Sequence, residues 1–563
     1  MKPKVVSAVF FLLSGYLLLG IAHIAALPPW EGFDETAHYS YLQQIADTWG
    51  FPRLEAARIS KDVERYVRFA PIPYSSDPPF ENNGGFTYKS FFEAPEETVV
   101  RGKEYIHNRP TKARHYAEGT SRNWQAQHPP LYYLLLSPVY AATRHLSWGA
   151  HLFILRFASY LFAWSALMLA FYSFFTAASG DLTHQEITRY HWGMLGVGIW
   201  PVLFPQWFPE MARLGNDSLC ALIMSMVWLV TIRVLNTGQG ARYSIILGVL
   251  LGLGCLTKAL FVPITVGVVS FWVFRRLCLE GRKALQSVLS HTFLTCALIA
   301  CIAGWWYMGN WLRHGIALGT FDMISLNNAG GMAHGLAKNL TVTALLRGHA
   351  AFVATFAWCG TWSLVRPPYV YLAPMVFTVV FAAAAYLSTL RRSQLLSMEW
   401  LPVWLVVPVL AGLSHHVLLQ IALAGQGRGT GGWYLHLLVV PLGVAVGHGF
   451  GAWWNKSSFR TITGVLSLYA VLFSICISRL QLLLFSGLVF KSGTNKFYQF
   501  PESLPSFLGL PDAISRLGVI AFPGLGFITW MCGGILVAIG LILTWRSTHA
   551  LRTGPPYPPC PYG

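Results

Sequence analysis

The chain has 563 residues, 54% of them hydrophobic and only 11% charged, with a mean hydropathy of +0.48. So little charge cannot cover a soluble protein of this length, so most of the chain must face lipid or other helices. The formal net charge of +17 lies in short clusters between apolar stretches, which fits the cytoplasmic loops of a membrane protein and argues against nucleic-acid binding.

The first apolar stretch, Val5–Leu27, follows Lys2 and Lys4. It is long for a secretory signal and many spans follow, so it reads as an uncleaved first helix. A polar segment rich in charge, proline and aromatics runs from Pro28 to about Ala150. Within it, Leu131–Arg144 reaches only about 20 Å as a helix and contains Pro138, which predicts an interfacial helix rather than a span.

Further apolar stretches are Leu152–Thr176, Trp192–Phe208, Leu219–Val234, Tyr243–Phe274, Phe293–Trp306, Tyr371–Leu390, Leu401–Leu423, Trp433–Phe450, Thr461–Leu484 and Val519–Leu543. Tyr243–Phe274 is too long for one upright span and short for two. If it is two helices turning at Lys258, and the N-terminus is inside, Arg275, Arg276, Arg282, Lys283, Arg391, Arg392, Lys456, Arg460 and Arg546 all become cytoplasmic. The expected fold is therefore an all-α integral membrane protein of about twelve transmembrane helices with large outer loops carrying interfacial helices. A second outer segment runs from Tyr307 to Val370 and a shorter one from Lys491 to Leu517. The proline-rich end, Gly554–Gly563, reads as disordered. Six of the nine cysteines (Cys220, Cys255, Cys296, Cys301, Cys476 and Cys532) lie in apolar segments, and no C-x-x-C or zinc spacing occurs.

Chemistry-bearing residues cluster on the predicted outer side. Pro28 to Tyr39 reads PPWEGFDETAHY, and a helix there would put Glu31, Asp34, Glu35 and His38 on one face. Crowded acids at a membrane surface favour a raised carboxylate pKa, which suits a general base, whereas the alternative is a solvated amphipathic helix. Glu35 and His38 also form an E-x-x-H pair, which leaves a divalent metal open as a cofactor, although none is firmly implied. His128 precedes a Pro pair at the start of the interfacial helix, where packing or capping is the commoner role. Asn216 and Asp217 stand at the mouth of the fourth span, where Asp217 could simply cap the helix. Lys258 is a charge in an apolar stretch, hence a functional candidate unless it snorkels to the interface. Gln426 to Gly432 is a glycine-rich loop whose Arg428 would suit a lipid phosphate.

With these residues in place, the chain resembles the GT-C superfamily of glycosyltransferases, which includes protein O-mannosyltransferases and lipid A aminoarabinose transferases. The likeness rests on Pro28-Pro29 with Asp34-Glu35 and His38, on His128 to Tyr133, on Asn216-Asp217, on Gly304 to Tyr307 with Asn310-Trp311 and Gly315 at the opening of the large loop, and on Gln426-Gly427-Arg428. Gly429 stands where an aromatic is usual in that last motif. The resemblance implies a polyprenyl-phosphate sugar donor and inverting transfer to the hydroxyl of a lipid, glycan or protein acceptor, on the non-cytoplasmic face of the cell membrane. Asp34 would be the general base, Glu35 or His38 would orient it, Asp217 would hold acceptor or base, and Lys258 and Arg428 would stabilise the departing phosphate. The corresponding division is a catalytic membrane module over 1–310 that includes the outer loop 28–150, a second outer loop 311–370, C-terminal transmembrane helices 371–545, and a disordered cytoplasmic tail 546–563. The competing readings are a transporter or flippase for a lipid-linked or anionic substrate, for which no internal repeat is found, an O-antigen ligase or polymerase-like enzyme, and an inactive assembly partner.

Overall fold

Every one of the apolar stretches is mainly helical in the computed structural model; Tyr243–Phe274 becomes two helices, and Trp192–Phe208 breaks after Leu203. The structure describes residues 3–75, 80, 84–177, 184–237, 240–365, 367–391, 395, 397–454, 457–489 and 510–553. Numbered in chain order, the long helices are α1 Pro3–Ala26, α2 Trp148–Ala177, α3 His184–Leu203, α4 Asp217–Thr237, α5 Ala241–Cys255, α6 Phe261–Glu280, α7 Leu285–His314, α8 Tyr369–Thr389, α9 Leu401–Ala424, α10 Val439–Trp453, α11 Ser457–Phe485 and α12 Pro523–Thr553. The chain is a multi-pass membrane protein. By length and composition, 10 of the described helical segments can each cross a bilayer. The two long helices outside that set are α3, whose first turns carry His184, Gln185, Glu186 and Arg189, and α5, which at 15 residues rises only about 22 Å.

The break inside Tyr243–Phe274 falls where the charge pattern puts it, with α5 ending at Cys255, α6 beginning at Phe261 and Lys258 between them. Lipid cannot hydrogen-bond a frayed backbone, so such a break persists only where protein covers it. Here Leu131 N–H bonds the Leu256 carbonyl at 3.2 Å and Tyr307 hydroxyl bonds that of Cys255 at 2.8 Å.

Lipid offers no hydrophobic drive between helices, so close backbone approach at small residues holds them together. Between α3 and α10, a Cβ on Gly447 would lie 1.9 Å from the Trp192 carbonyl oxygen, and one on Gly196 would lie 1.9 Å from that of Gly443. Gly447→Ala is therefore expected to push α3 and α10 apart and cost about 1–3 kcal/mol of stability. A fall in the thermal unfolding midpoint of detergent-solubilised protein checks this, and an unchanged midpoint would refute the packing argument.

At one end of the bundle the connections are long and structured. The segment after α1 forms the helix Glu35–Thr48, a two-stranded antiparallel ribbon (β1 Arg58–Ser60, β2 Glu118–Arg122, with Arg58 opposite Arg122) and the helix Leu131–Thr143. The interfacial helix is thus present, but Tyr132, Tyr133 and Tyr140 are buried, because it is wedged between Glu35–Thr48 and α2. The second large loop opens later than its sequence suggests. Gly304 to Trp311 continue α7 to His314, and the helix stops at Gly315, whose φ of 69° is the left-handed conformation that glycine adopts cheaply. Phe321–Asn328, Gly331–Asn339 and Val342–Ala357 then fold over the same end. At the other terminus, α12 continues through Thr553 into the region expected to be a tail, while 554–563 lie outside the described residues, as do 490–509.

Candidate active site

The acidic run after α1 does not form one helical face. The helix starts at Glu35, and Asp34 before it has φ 58° and ψ 13°, a left-handed conformation that aspartate tolerates better than most residues. Trp30 is also left-handed, at φ 68°, so Pro28–Asp34 is a tight non-helical turn. Gly32 in that turn has no room for a side chain, since a Cβ would lie 2.7 Å from Cβ of Arg213. As a result the acids of the motif point to different partners.

Glu31 is fully buried and binds the second large loop. It accepts from Thr361 Oγ1 at 2.6 Å, Ser363 N at 3.1 Å and Ser363 Oγ at 2.5 Å, and from Tyr88 hydroxyl at 2.7 Å. Burial raises its pKa, and these four donors work in the opposite direction. Glu35 is also fully buried and pairs in a fork with Arg156 of α2, at 2.7 Å to Nε and 2.6 Å to a terminal nitrogen, while Leu214 N–H adds a bond at 3.1 Å. Arg156 further donates to the Leu27 and Pro28 carbonyls at 2.7 and 2.8 Å. Both acids hold loops in place.

Asp34 is different. Its carboxylate is half-buried, caps no helix nitrogen, and accepts one hydrogen bond, from Trp124 Nε1 at 3.1 Å. Burial raises its pKa above the usual aspartate range, while Arg213, the Trp124 bond and Lys258 favour the charged form. Among the described residues it is the one carboxylate in this cluster with neither a cation partner nor several donors.

Next to it lies a ladder of buried charges. Lys258 Nζ is 2.6 Å from Asp217 Oδ1, and Arg213 is 3.0 Å from Asp217 Oδ2 and 2.6 Å from Glu210 Oε1. Arg213 also donates to the Phe33 carbonyl at 2.8 Å, fixing the ladder beside Asp34. Burial opposes a charge on Lys258, but Asp217 outweighs it and the ammonium pKa is raised. The Lys258 nitrogen also stands 4.2 Å from the centre of the Tyr434 ring. Asn216 donates to the Thr257 carbonyl at 3.3 Å, tying the start of α4 to the α5–α6 turn.

His38 bonds Tyr133 hydroxyl through Nδ1 at 2.8 Å, and its ring lies parallel to that of His128, with centroids 6.3 Å apart. Burial depresses both imidazoles, His128 to about 3, so both are neutral near pH 7. The E-x-x-H pair is not assembled, because Glu35 is engaged with Arg156 and His38 with Tyr133. Among the described residues no group of three or more His, Cys, Asp or Glu side chains is placed to hold a metal ion. Arg428 falls in a short turn, Gly427–Gly429, packed on α9 and on Val342–Ala357, and its side chain lies outside the described residues.

Four partners escaped the sequence reading. Arg156 is a charge inside an apolar stretch, a signal of the same kind as Lys258. Glu210 and Arg213 stand three apart, the spacing of a helical ion pair. Trp124 carries no comparable signal, because its bond to Asp34 spans 90 residues.

Removing the Trp124 bond withdraws a donor that favours the Asp34 carboxylate, so Trp124→Phe raises that pKa further. If Asp34 must be ionised for turnover, the acid limb of the rate–pH profile moves to higher pH, by on the order of one unit. An unmoved limb would separate Asp34 from the titration that controls rate.

No protein-family model matches the sequence, and no curated protein matches it. Among solved structures, the chain is similar to ArnT from Cupriavidus metallidurans, a GT-C glycosyltransferase. Against ArnT bound to undecaprenyl phosphate, identity is 12% over 87% of this chain and 76% of that one, with a TM-score of 0.38. Against ArnT in the apo state the values are 12%, 86%, 75% and 0.40. It is also similar to the Archaeoglobus fulgidus oligosaccharyltransferase in complex with Zn and sulfate, at 13% identity over 81% of this chain and 53% of that one, with a TM-score of 0.32.

Proposed function

We propose that this protein transfers a sugar, with inversion, from a polyprenyl-phosphate donor to an acceptor hydroxyl on the non-cytoplasmic side of the cell membrane. The observation that carries the reading is the isolation of Asp34, a half-buried carboxylate with one hydrogen bond beside the buried cations Lys258 and Arg213. An acid with a raised pKa and an open oxygen can take a proton from an acceptor hydroxyl as that oxygen attacks the anomeric carbon. Burial depresses the His38 imidazole well below its usual range and Nδ1 is bonded to Tyr133, so it is the poorer base for that proton.

The leaving group is then a lipid phosphate, whose negative charge grows as the glycosidic bond breaks. Lys258 meets it. An ammonium has three N–H donors, and Asp217 uses one, so donors remain for phosphate oxygens. Asp217 is in this reading a positioning residue, pointing Lys258 and Arg213 toward the site. Arg428, in the glycine-rich turn at the same end, is proposed as a second phosphate contact. Glu35 and Asn216 set the loops on which Asp34 and Asp217 stand, and Glu31 joins the two large loops over them.

The test is transfer from radiolabelled polyprenyl-phosphate sugars by purified protein in lipid, comparing wild type with Lys258→Met. The substitution keeps the side-chain length but removes the charge, and should lower turnover by about 10²–10³. Transfer by Lys258→Met at the wild-type rate would rule out its phosphate role. A product of retained anomeric configuration would rule out direct attack assisted by Asp34.

A further inference from the structure

The far end of the charge ladder has an oxygen with nothing to bind. Glu210 lies in the short helix Trp207–Met211 between α3 and α4 and is 1% exposed, and its Oε2 accepts no hydrogen bond. Its other oxygen is 2.6 Å from Arg213. The Glu210 and Asp217 carboxyls lie within hydrogen-bonding reach of each other. Two ionised carboxylates at that separation repel, whereas one shared proton turns the contact into a hydrogen bond and satisfies the bare oxygen.

Charge counting shows when that proton is needed. Without donor, Glu210 and Asp217 match Arg213 and Lys258 within the ladder, and Asp34 beside it is a further acid rather than a further cation. An anionic phosphate on Lys258 adds a negative charge to a buried cluster with no further cation among the described residues of the ladder. A proton restores the balance.

We propose that donor binding draws one proton into the site, and that Glu210 holds it, bonded to Asp217, while the phosphate occupies Lys258. The inference rests on the donor reading above. Burial and the nearby Asp217 charge push the Glu210 carboxyl up to about 7, against the pull of Arg213, so near neutrality a modest change of local charge fills or empties it. The helix Trp207–Met211 packs against α1, α2, α4 and the turn Gly432–Leu438. Their buried or half-buried titratable and charged side chains are Tyr16 and His23, His151, Arg156 and Tyr160, Asp217 and Cys220, and Tyr434 and His436. Arg156 is committed to Glu35, Tyr16 to the Gly198 carbonyl and Tyr160 to that of Tyr16. Arg213, Asp217 and Tyr434 bear on Glu210 electrostatically.

By linkage, a ligand that brings in a proton binds more weakly as pH rises, by up to tenfold per unit above the pKa of the free site. The probe is a prenyl phosphodiester, whose single charge does not titrate near neutrality, measured on the full-length protein in detergent from pH 6 to 8.5. Wild type should lose close to tenfold in affinity per unit above pH 7, and should take up protons from a weakly buffered indicator solution on binding. Glu210→Gln keeps a donor for Asp217 without a titratable proton, and should bind with a flat pH profile and no uptake. Asp34→Asn, the control for the other nearby carboxyl, should keep the slope.

A slope that persists in Glu210→Gln and vanishes in Asp34→Asn would overturn the assignment to Glu210. Absence of proton uptake by wild type would overturn it without any variant, which covers the case where Glu210→Gln fails to fold. If wild type does not bind the phosphodiester at all, the donor reading falls and takes this inference with it.

Discussion

Asp34→Asn should reduce sugar transfer by about 10²–10⁴-fold while leaving the fold intact. The substitution is conservative in every respect but one. Asparagine tolerates the left-handed backbone at this position, and its amide oxygen can still accept from Trp124. What is lost is the carboxylate itself, its charge beside Arg213 and Lys258 and its ability to take a proton. Initial rates and thermal unfolding on the same purified samples separate the effects. A large rate loss at an unchanged unfolding midpoint supports Asp34 as the base. A rate within about threefold of wild type, far short of that loss, would transfer the role to another carboxyl. The raised pKa sets the direction of the pH dependence. Wild-type activity should fall as pH drops through the Asp34 value, above the range of an ordinary aspartate, because the protonated acid cannot accept the acceptor's proton.

The second large effect is on stability. Arg156→Ala strands Glu35 as a buried charge and frees the Leu27 and Pro28 carbonyls, which should cost about 3–5 kcal/mol. The double variant Arg156→Met with Glu35→Leu removes both charges and should recover much of that loss, because a buried pair replaced by apolar groups is often close to neutral. Apparent unfolding midpoints of Arg156→Met, Glu35→Leu and the double variant complete the cycle. Additive losses, with no recovery in the double variant, would show that the pair is not coupled. Since Glu35 also accepts from Leu214 N–H, the variants loosen the loop carrying Arg213, and activity should fall with stability rather than independently of it.

These two residues adjoin in sequence yet differ in role, and nothing in Asp34-Glu35 as a dipeptide distinguishes them. A helix over the whole motif, as its spacing suggests, would align Glu31, Asp34, Glu35 and His38. The left-handed turns at Trp30 and Asp34 prevent that alignment. Each acid then finds a distant partner, across 121 residues for Glu35 to Arg156 and 330 for Glu31 to Thr361. Local periodicity does not encode contacts at such separations.

The sequence by itself determined the positions of the long helices and the break at Lys258. A bilayer demands about 20 apolar residues per span and keeps basic residues on one side, and both constraints act along the chain. It also located the end of the bundle that carries polar chemistry, since the long polar segments and Asp34, Asp217 and Lys258 fall there by parity alone. Only the tertiary structure decided which carboxylate is left free. That depends on where Arg156, Arg213 and Lys258 arrive when α2, α4 and the α5–α6 turn pack together: Arg156 goes to Glu35, Arg213 bridges Glu210 and Asp217, Lys258 takes Asp217, and burial leaves no solvent to pair Asp34 instead.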